Sequence, residues 1–244
     1  MKLSILIPFR DADGTRTPGH EWMLRRWQHF YPDAEFIIAP DDGIDPFNKP
    51  MAVNNAAAKA SGDIFVILDA DTWIEPAWME RSVREIASGR WKWAAPSRHM
   101  RLKQHVSDRL LAMDPTGPLP QLHPTRDTDS FGPVVGFLWV VLASAWWDMA
   151  WHNEQGQARG MDERIRGWGG EDTMFRMAAQ SIIGPPRRIG GTVVCLWHER
   201  PRTQHGRYWV GQDRSTEQWK QQLAQQYRSA MRRKPVMRQL LGQP

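Results

Sequence analysis

The chain has 244 residues, 41% of them hydrophobic, enough for one large domain or two small ones with a substantial core. Its single cysteine, Cys195, excludes an internal disulfide, and no apolar run reaches membrane-spanning length. The formal net charge of +5 is concentrated at the end of the chain: Lys220, Arg228, Arg232, Arg233, Lys234 and Arg238 have no acidic residue among them from 218 onward, so the body is close to neutral.

Leu3 to Ile7 reads as a buried strand ended by Pro8-Phe9-Arg10. It follows Met1-Lys2 directly and is too short and too β-branched for a signal peptide, so a cytoplasmic protein is expected. Asp11 to Gly19 reads as a loop, Glu21 to Tyr31 as a helix stopped by Pro32, and Glu35 to Ala39 as a second strand ending in the turn Asp41-Asp42-Gly43. Pro50 to Ala60 has proline at its start and Gly62 just past its end, the favoured helix asymmetry. Ile64 to Leu68 then has no polar alternation and reads as a strand buried on both faces.

Strand, helix, strand, helix, strand thus fills the first seventy residues. That alternation implies an α/β fold with a mostly parallel sheet flanked by helices. No G-x-G-x-x-G follows the first strand, which argues against a standard dinucleotide fold.

Further on, Pro76 to Ser88 reads as a helix, and Trp91 to Ala95 and Val134 to Ala143 as strands. The stretch between them, Ser97 to Pro133, reads as a polar excursion with partial helix and as a candidate lid. Ala145 to Trp151 begins a helix, and Glu171 to Gln180 forms another. Ile182 to Ile189 and Thr192 to Trp197 are two strand candidates separated by Gly190-Gly191. In the last helix, Ser215 to Met231, the residues Trp219, Leu223, Tyr227 and Met231 recur every fourth position as a docking stripe. The expected organisation is one domain over 1–214 with an amphipathic basic helical tail over 215–244.

Chemistry-bearing residues gather at strand ends. Asp69 and Asp71 close the central strand, where ligands bind in open α/β sheets, and alternate residues of an extended chain point the same way. Two such carboxylates suit Mn²⁺ or Mg²⁺ completed by substrate phosphates. Glu171-Asp172 follows Gly167-Trp168-Gly169-Gly170, a loop that sets a large indole beside two carboxylates, an arrangement suited to gripping a sugar and deprotonating its hydroxyl. His198 closes the last strand candidate.

These pieces carry a resemblance. Ile7-Pro8-Phe9-Arg10, Phe47-Asn48-Lys49, Asp69-Ala70-Asp71, Gly167-Trp168-Gly169-Gly170-Glu171-Asp172 and His198 occur in that order from residue 3 to about 200. The chain resembles a GT-A-fold glycosyltransferase, specifically the inverting β-1,4-galactosyltransferase group and its bacterial chondroitin-polymerase-like relatives. The resemblance implies that Pro8, Phe9, Arg10, Phe47 and Lys49 hold the donor nucleotide, a uridine diphosphate sugar, with Asp69 near the ribose and metal. It implies Asp71 and His198 as ligands of Mn²⁺, with Cys195 where the family has a further ligating methionine. Asp172 becomes the catalytic base, Glu171 a binder of acceptor hydroxyls, and Trp168, Gly169 and Gly170 the mobile sugar-contacting loop. Thr173-Met174 replaces further acids that the family carries, and Ser97 to Pro133 has no counterpart, which leaves the acceptor open among glycan, protein and nucleic acid.

Two other readings compete. A sugar nucleotidyltransferase would also use acids and a metal, but it lacks a Gly-rich, Lys- and Arg-bearing phosphate loop after the first strand. A basic, tryptophan-rich nucleic-acid-binding protein would use the fourteen tryptophans and the cationic tail, which also offers a contact for an anionic surface.

Overall fold

The computed structural model describes residues 1–11, 13–133, 136–167, 169–199 and 214–244. In chain order, the first half comprises β1 (Leu3–Pro8), α1 (Thr17–Phe30), β2 (Glu35–Ala39), α2 (Lys49–Ala57), β3 (Ile64–Leu68), β4 (Thr72–Trp73) and α3 (Pro76–Ala87). Next come β5 (Trp93–Leu102), α4 (Gln104–Leu111), β6 (Thr128–Pro133), β7 (Leu138–Leu142), α5 (Ala143–Asp148), β8 (Trp151–His152) and β9 (Ala158–Gly160). The chain ends with α6 (Glu171–Ile182), β10 (Arg187–Cys195), α7 (Arg214–Ala230) and α8 (Lys234–Leu240).

The main sheet has the order β2-β1-β3-β7-β5-β10-β4, with β6 added beside β5. β1 is parallel to β2 and β3, and β5 is parallel to β10, whereas β7 runs antiparallel between β3 and β5. The alternation expected of the first seventy residues is therefore parallel as read, and the antiparallel pairings are made by β4, β6 and β7, later in the chain.

The absence of polar alternation in β3 has a direct structural cause, because both faces are covered. Phe65 and Ile67 enter one core, and Ile64, Val66 and Leu68 enter the other. β7 divides in the same way, with Trp139 and Val141 on one side and Leu138 and Val140 on the other. The first core also takes Leu223, Tyr227 and Ala230 of α7 and Met237 of α8. Of the expected docking stripe, Leu223 and Tyr227 are buried and Met231 packs against this core, whereas Trp219 is exposed and its neighbour Lys220 is buried instead.

Two expectations are corrected. The stretch from Ser97 to Pro133 contains the expected partial helix, α4, but is built into the sheet instead of standing apart from it: it extends β5 and adds β6. Its polar surface hides buried anchors, Met100, Leu102, Val106 and Leu110, and Arg26 donates to the carbonyls of Pro115 and Gly117. The two strand candidates around Gly190-Gly191 are one strand, β10, with an irregularity between Ile189 and Thr192 over which the Trp78 indole packs. Among the described residues, no helix is long and apolar enough to cross a membrane.

Candidate active site

The site forms where the ends of β3 and β10 meet the starts of α2 and α6. Asp69 and Asp71 follow β3 in a tight turn: the Asp69 carbonyl accepts from the Thr72 backbone at 3.1 Å and its hydroxyl at 2.7 Å. Asp69 N–H donates to Phe137 O at 3.0 Å, which links the turn to the chain entering β7. Cys195 pairs with Thr72 across β10 and β4, and Leu196 N–H donates to Asp71 O at 2.9 Å. These backbone bonds deliver His198 to Asp71, with Nε2 3.4 Å from Oδ2. Residues separated by 127 positions in the chain are thus neighbours.

The state of His198 follows from its partners. Nδ1 lies 2.9 Å from the Glu199 carbonyl, which can only accept, so Nδ1 carries the proton. Arg101 Nη1 lies 3.2 Å from Nε2 and can only donate, so Nε2 presents its lone pair. Burial lowers the imidazole pKa below its ordinary value against the pull of Asp71, in keeping with a neutral ring. A carboxylate oxygen and an imidazole lone pair therefore face the same space.

The second half of the site is built on Lys49. Asn48 caps α2, accepting from Met51 N–H at 3.0 Å, and its amide donates to Glu163 O at 2.8 Å. Lys49, the first residue of the helix, is thereby aimed into the sheet end. Its Nζ lies 2.7 Å from Asp69 Oδ1, 3.0 Å from Asp172 Oδ1 and 3.9 Å from Glu171 Oε1, and 5.9 Å from the centre of the Trp139 ring. The Lys49 side chain is 13% exposed. Burial works against its charge, but Asp172, Asp69 and Glu171 hold its pKa well above the ordinary value. Burial pushes the Asp69 carboxyl up, against the pull of Lys49.

Glu171 and Asp172 open α6, where acidic side chains complement the helix dipole. Gly170 before them has φ +94°, a conformation that side-chain-bearing residues rarely adopt. Gly167 N–H donates to Phe47 O at 2.9 Å, binding the glycine loop to the segment before α2. Burial first, and then the neighbouring Asp172, push the Glu171 carboxyl up to about 7. Its Oε2 is buried with no hydrogen-bond partner. Asp172 packs on Gly136 so closely that a Cβ there would fall 1.9 Å from Oδ2.

Four of the five residues read as a nucleotide pocket fall into two groups. Arg10, just after β1, lies 3.2 Å from the buried Asp41 carboxylate and 5.4 Å from the Phe47 ring centre. Asp41 also accepts from Asn48 N–H at 2.7 Å, so it orients Arg10 and the start of α2 together. Phe9 stacks on His20 at 4.1 Å, and His20 Nδ1 donates to Ala70 O at 3.4 Å. Pro8 ends β1 beside them. Lys49 stands apart from these groups, among the carboxylates.

For a divalent metal, the described residues supply a pair and not a cluster: no three His, Cys, Asp or Glu side chains gather as a metal site. Asp69 is turned to Lys49. Cys195 is fully buried in the second core, and burial raises its thiol pKa well above the ordinary value, which suits a structural residue and not a ligand. One carboxylate oxygen and one imidazole nitrogen facing each other still fit a Mn²⁺ or Mg²⁺ whose remaining positions come from phosphates. Trp168 lies outside the described residues, whereas Gly169 and Gly170 are described. Sequence reasoning missed Arg101, Gly136, His20 and Asp41. Only Asp41 carried a signal, as an acid at a strand end that was read as a turn.

Comparison with known proteins agrees with this architecture. Residues 44–115, which span α2, β3, the Asp69–Asp71 turn and α4, match the model of glycosyl transferase family 2. The catalytic domain of Drosophila β1,4-galactosyltransferase 7, solved with xylobiose, superposes with a TM-score of 0.53 at 18% identity, over 90% of this chain and 79% of that one. A mutant of the same enzyme, with manganese, UDP-Gal and xylobiose, gives 0.51 at 17% identity over the same shares. Glucosyl-3-phosphoglycerate synthase from Mycobacterium tuberculosis, with Mn²⁺, UDP-glucose and phosphoglyceric acid, gives 0.50 at 12% identity over 100% of this chain and 80% of that one. A comparison with curated proteins gave no significant match. With the family 2 signature over its central strand and a fold shared with these enzymes, the chain is a glycosyltransferase of GT-A fold.

Proposed function

We propose that the chain transfers a sugar from a nucleotide-sugar donor, a uridine diphosphate sugar, to an acceptor hydroxyl with inversion at the anomeric carbon. The observation that carries this reading is the meeting at one sheet end of two unlike halves. One is the Asp71–His198 pair, 3.4 Å apart, and the other is the Lys49–Asp172 pair, 3.0 Å apart. The structural neighbours solved with UDP sugars and Mn²⁺ support the donor class and the ion.

Asp71 and His198 would hold the divalent cation, which when bound neutralises charge developing on the diphosphate leaving group. The chain's own residues supply the remainder. Asp172 takes the proton of the acceptor hydroxyl as that oxygen attacks, and Lys49 holds its carboxylate in place through Oδ1. Glu171, with its pKa pushed to about 7, can offer a proton or a lone pair to another acceptor hydroxyl at neutral pH. Phe47 and Arg10 offer an aromatic face and a cation to the nucleotide at the mouth of β1. The acceptor is a hydroxyl compound, whether glycan, protein or small molecule.

The test is release of UDP from a panel of UDP sugars by the purified chain with Mn²⁺, together with a thermal-shift screen of the same compounds. Stabilisation by one UDP sugar, dependent on Mn²⁺, and its turnover in the presence of acceptor are expected. No stabilisation and no turnover by any nucleotide sugar would remove the assignment.

A further inference from the structure

Arg101 occupies the one position that the metal reading would otherwise leave to the ion. It lies on β5, which runs beside β10, and its Nη1 is 3.2 Å from His198 Nε2. That nitrogen is the lone pair facing Asp71. The guanidinium also lies over the Phe137 ring at 5.6 Å from its centre. Phe137 has φ +71°, a strained conformation for a bulky residue, and its carbonyl accepts the Asp69 N–H. The strain therefore falls on a residue that touches both the metal turn and the Arg101 side chain. Among the described residues, Arg101 forms no ion pair, and the Asp71 carboxylate meets the same His198 Nε2 at 3.4 Å. A guanidinium with no anion of its own, stacked on a ring at the edge of a site, is arranged to receive one.

We propose that Arg101 is a competitor built into the metal site. Its N–H occupies the His198 lone pair, yields it to an incoming divalent cation, and the freed planar fork then binds the donor's diphosphate. A guanidinium matches two phosphate oxygens at once, which an ammonium cannot do. Metal and donor are thereby coupled: the ion releases the residue that the donor needs, so the donor favours the ion-loaded form. The inference rests on the reading of Asp71 and His198 as metal ligands and adds to it a residue and an order of events.

The experiment measures two affinities of the full chain. Mn²⁺ binding without nucleotide is read by electron paramagnetic resonance of the free ion, and UDP binding at saturating Mn²⁺ by calorimetry. Arg101→Met is expected to bind Mn²⁺ about tenfold more tightly and UDP about tenfold more weakly, the scale of one charge-assisted hydrogen bond. Arg101→Lys, which keeps the charge but not the fork, should fall between the two on both readouts. Unchanged or weaker Mn²⁺ binding by Arg101→Met overturns the competition, and unchanged UDP binding overturns the diphosphate role. Should Arg101→Met fail to fold, Arg101→Lys decides alone, and parental values for both affinities overturn the proposal. Asp71→Asn separates the failures. If it abolishes Mn²⁺ binding while the Arg101 variants change nothing, only this inference falls. If it leaves Mn²⁺ binding intact, the metal assignment falls with it.

Discussion

Lys49 Nζ donates to Asp172 Oδ1 across 3.0 Å, joining the first residue of α2 to the first turn of α6. The same ammonium reaches Asp69 at the end of β3, so one cation spans the elements on which the two halves of the site are mounted. Three acids share it, leaving the cluster short of positive charge. A positively charged transition state, or a proton arriving from an acceptor, meets a favourable field there.

Asp172→Asn removes the group assigned to accept the proton while keeping its size and its contact with Gly136. Turnover should fall by roughly 10²–10⁴-fold, with donor affinity unchanged. Steady-state kinetics beside UDP-sugar calorimetry checks it, and unchanged turnover would take Asp172 out of the base role.

Lys49→Met should cost both stability and activity. It strands Asp69, Asp172 and Glu171 without their shared cation, and breaking such a pair from one side costs roughly 3 kcal/mol. For a chain of this size, the melting temperature should fall on the order of 10 °C. A scanning-calorimetry melt equal to that of the parent would show that the cluster does not depend on Lys49.

Gly136→Ala tests the same carboxylate from its other side. The added Cβ would meet Asp172 Oδ2 at 1.9 Å and Cγ at 2.4 Å, so the carboxylate must move. A loss of kcat of at least about tenfold, with little change in the donor KM, is expected from such a displacement of a reacting group. Equal loss in both parameters would place the damage in the fold instead.

Glu171 sets a pH dependence of stability. Its pKa is raised from 4.5 to about 7 in the folded chain, so between those values the folded state holds a proton that the unfolded state has released. The stabilisation from this group is complete below about pH 4.5 and is lost as pH rises through about 7. Glu171→Gln cannot ionise, so its melting temperature should gain on the parent's as pH is raised from 5 to 8. Parallel curves for the two chains would contradict the raised pKa.

Chelation tests the pair at the other end of the site. EDTA should abolish turnover and Mn²⁺ should restore it, whereas His198→Ala should require a higher Mn²⁺ concentration to reach half-maximal activity. Full activity in chelator would remove the metal from the mechanism.

The sequence by itself determined the local elements and the strand-end acids. The short, β-branched and aromatic apolar run from Ile64 to Leu68 reads as a strand covered on both faces, and period 2 divides it between two cores. Pro50 and Gly62 bracketed α2, and Asp69, Asp71, Asp172 and His198 stood out as polar residues at the ends of such elements. Tertiary structure decided which of them meet. Lys49 reads in sequence as part of a nucleotide pocket, but pairing 123 positions away with Asp172 makes it the hub of an acid cluster. Arg101 and Gly136 carried no signal at all, because a basic residue on a strand and a glycine before one are ordinary until β10 brings His198, and α6 brings Asp172, against them. Propensity and periodicity act over a few residues, whereas the contacts that set charge and reach here close loops of about a hundred.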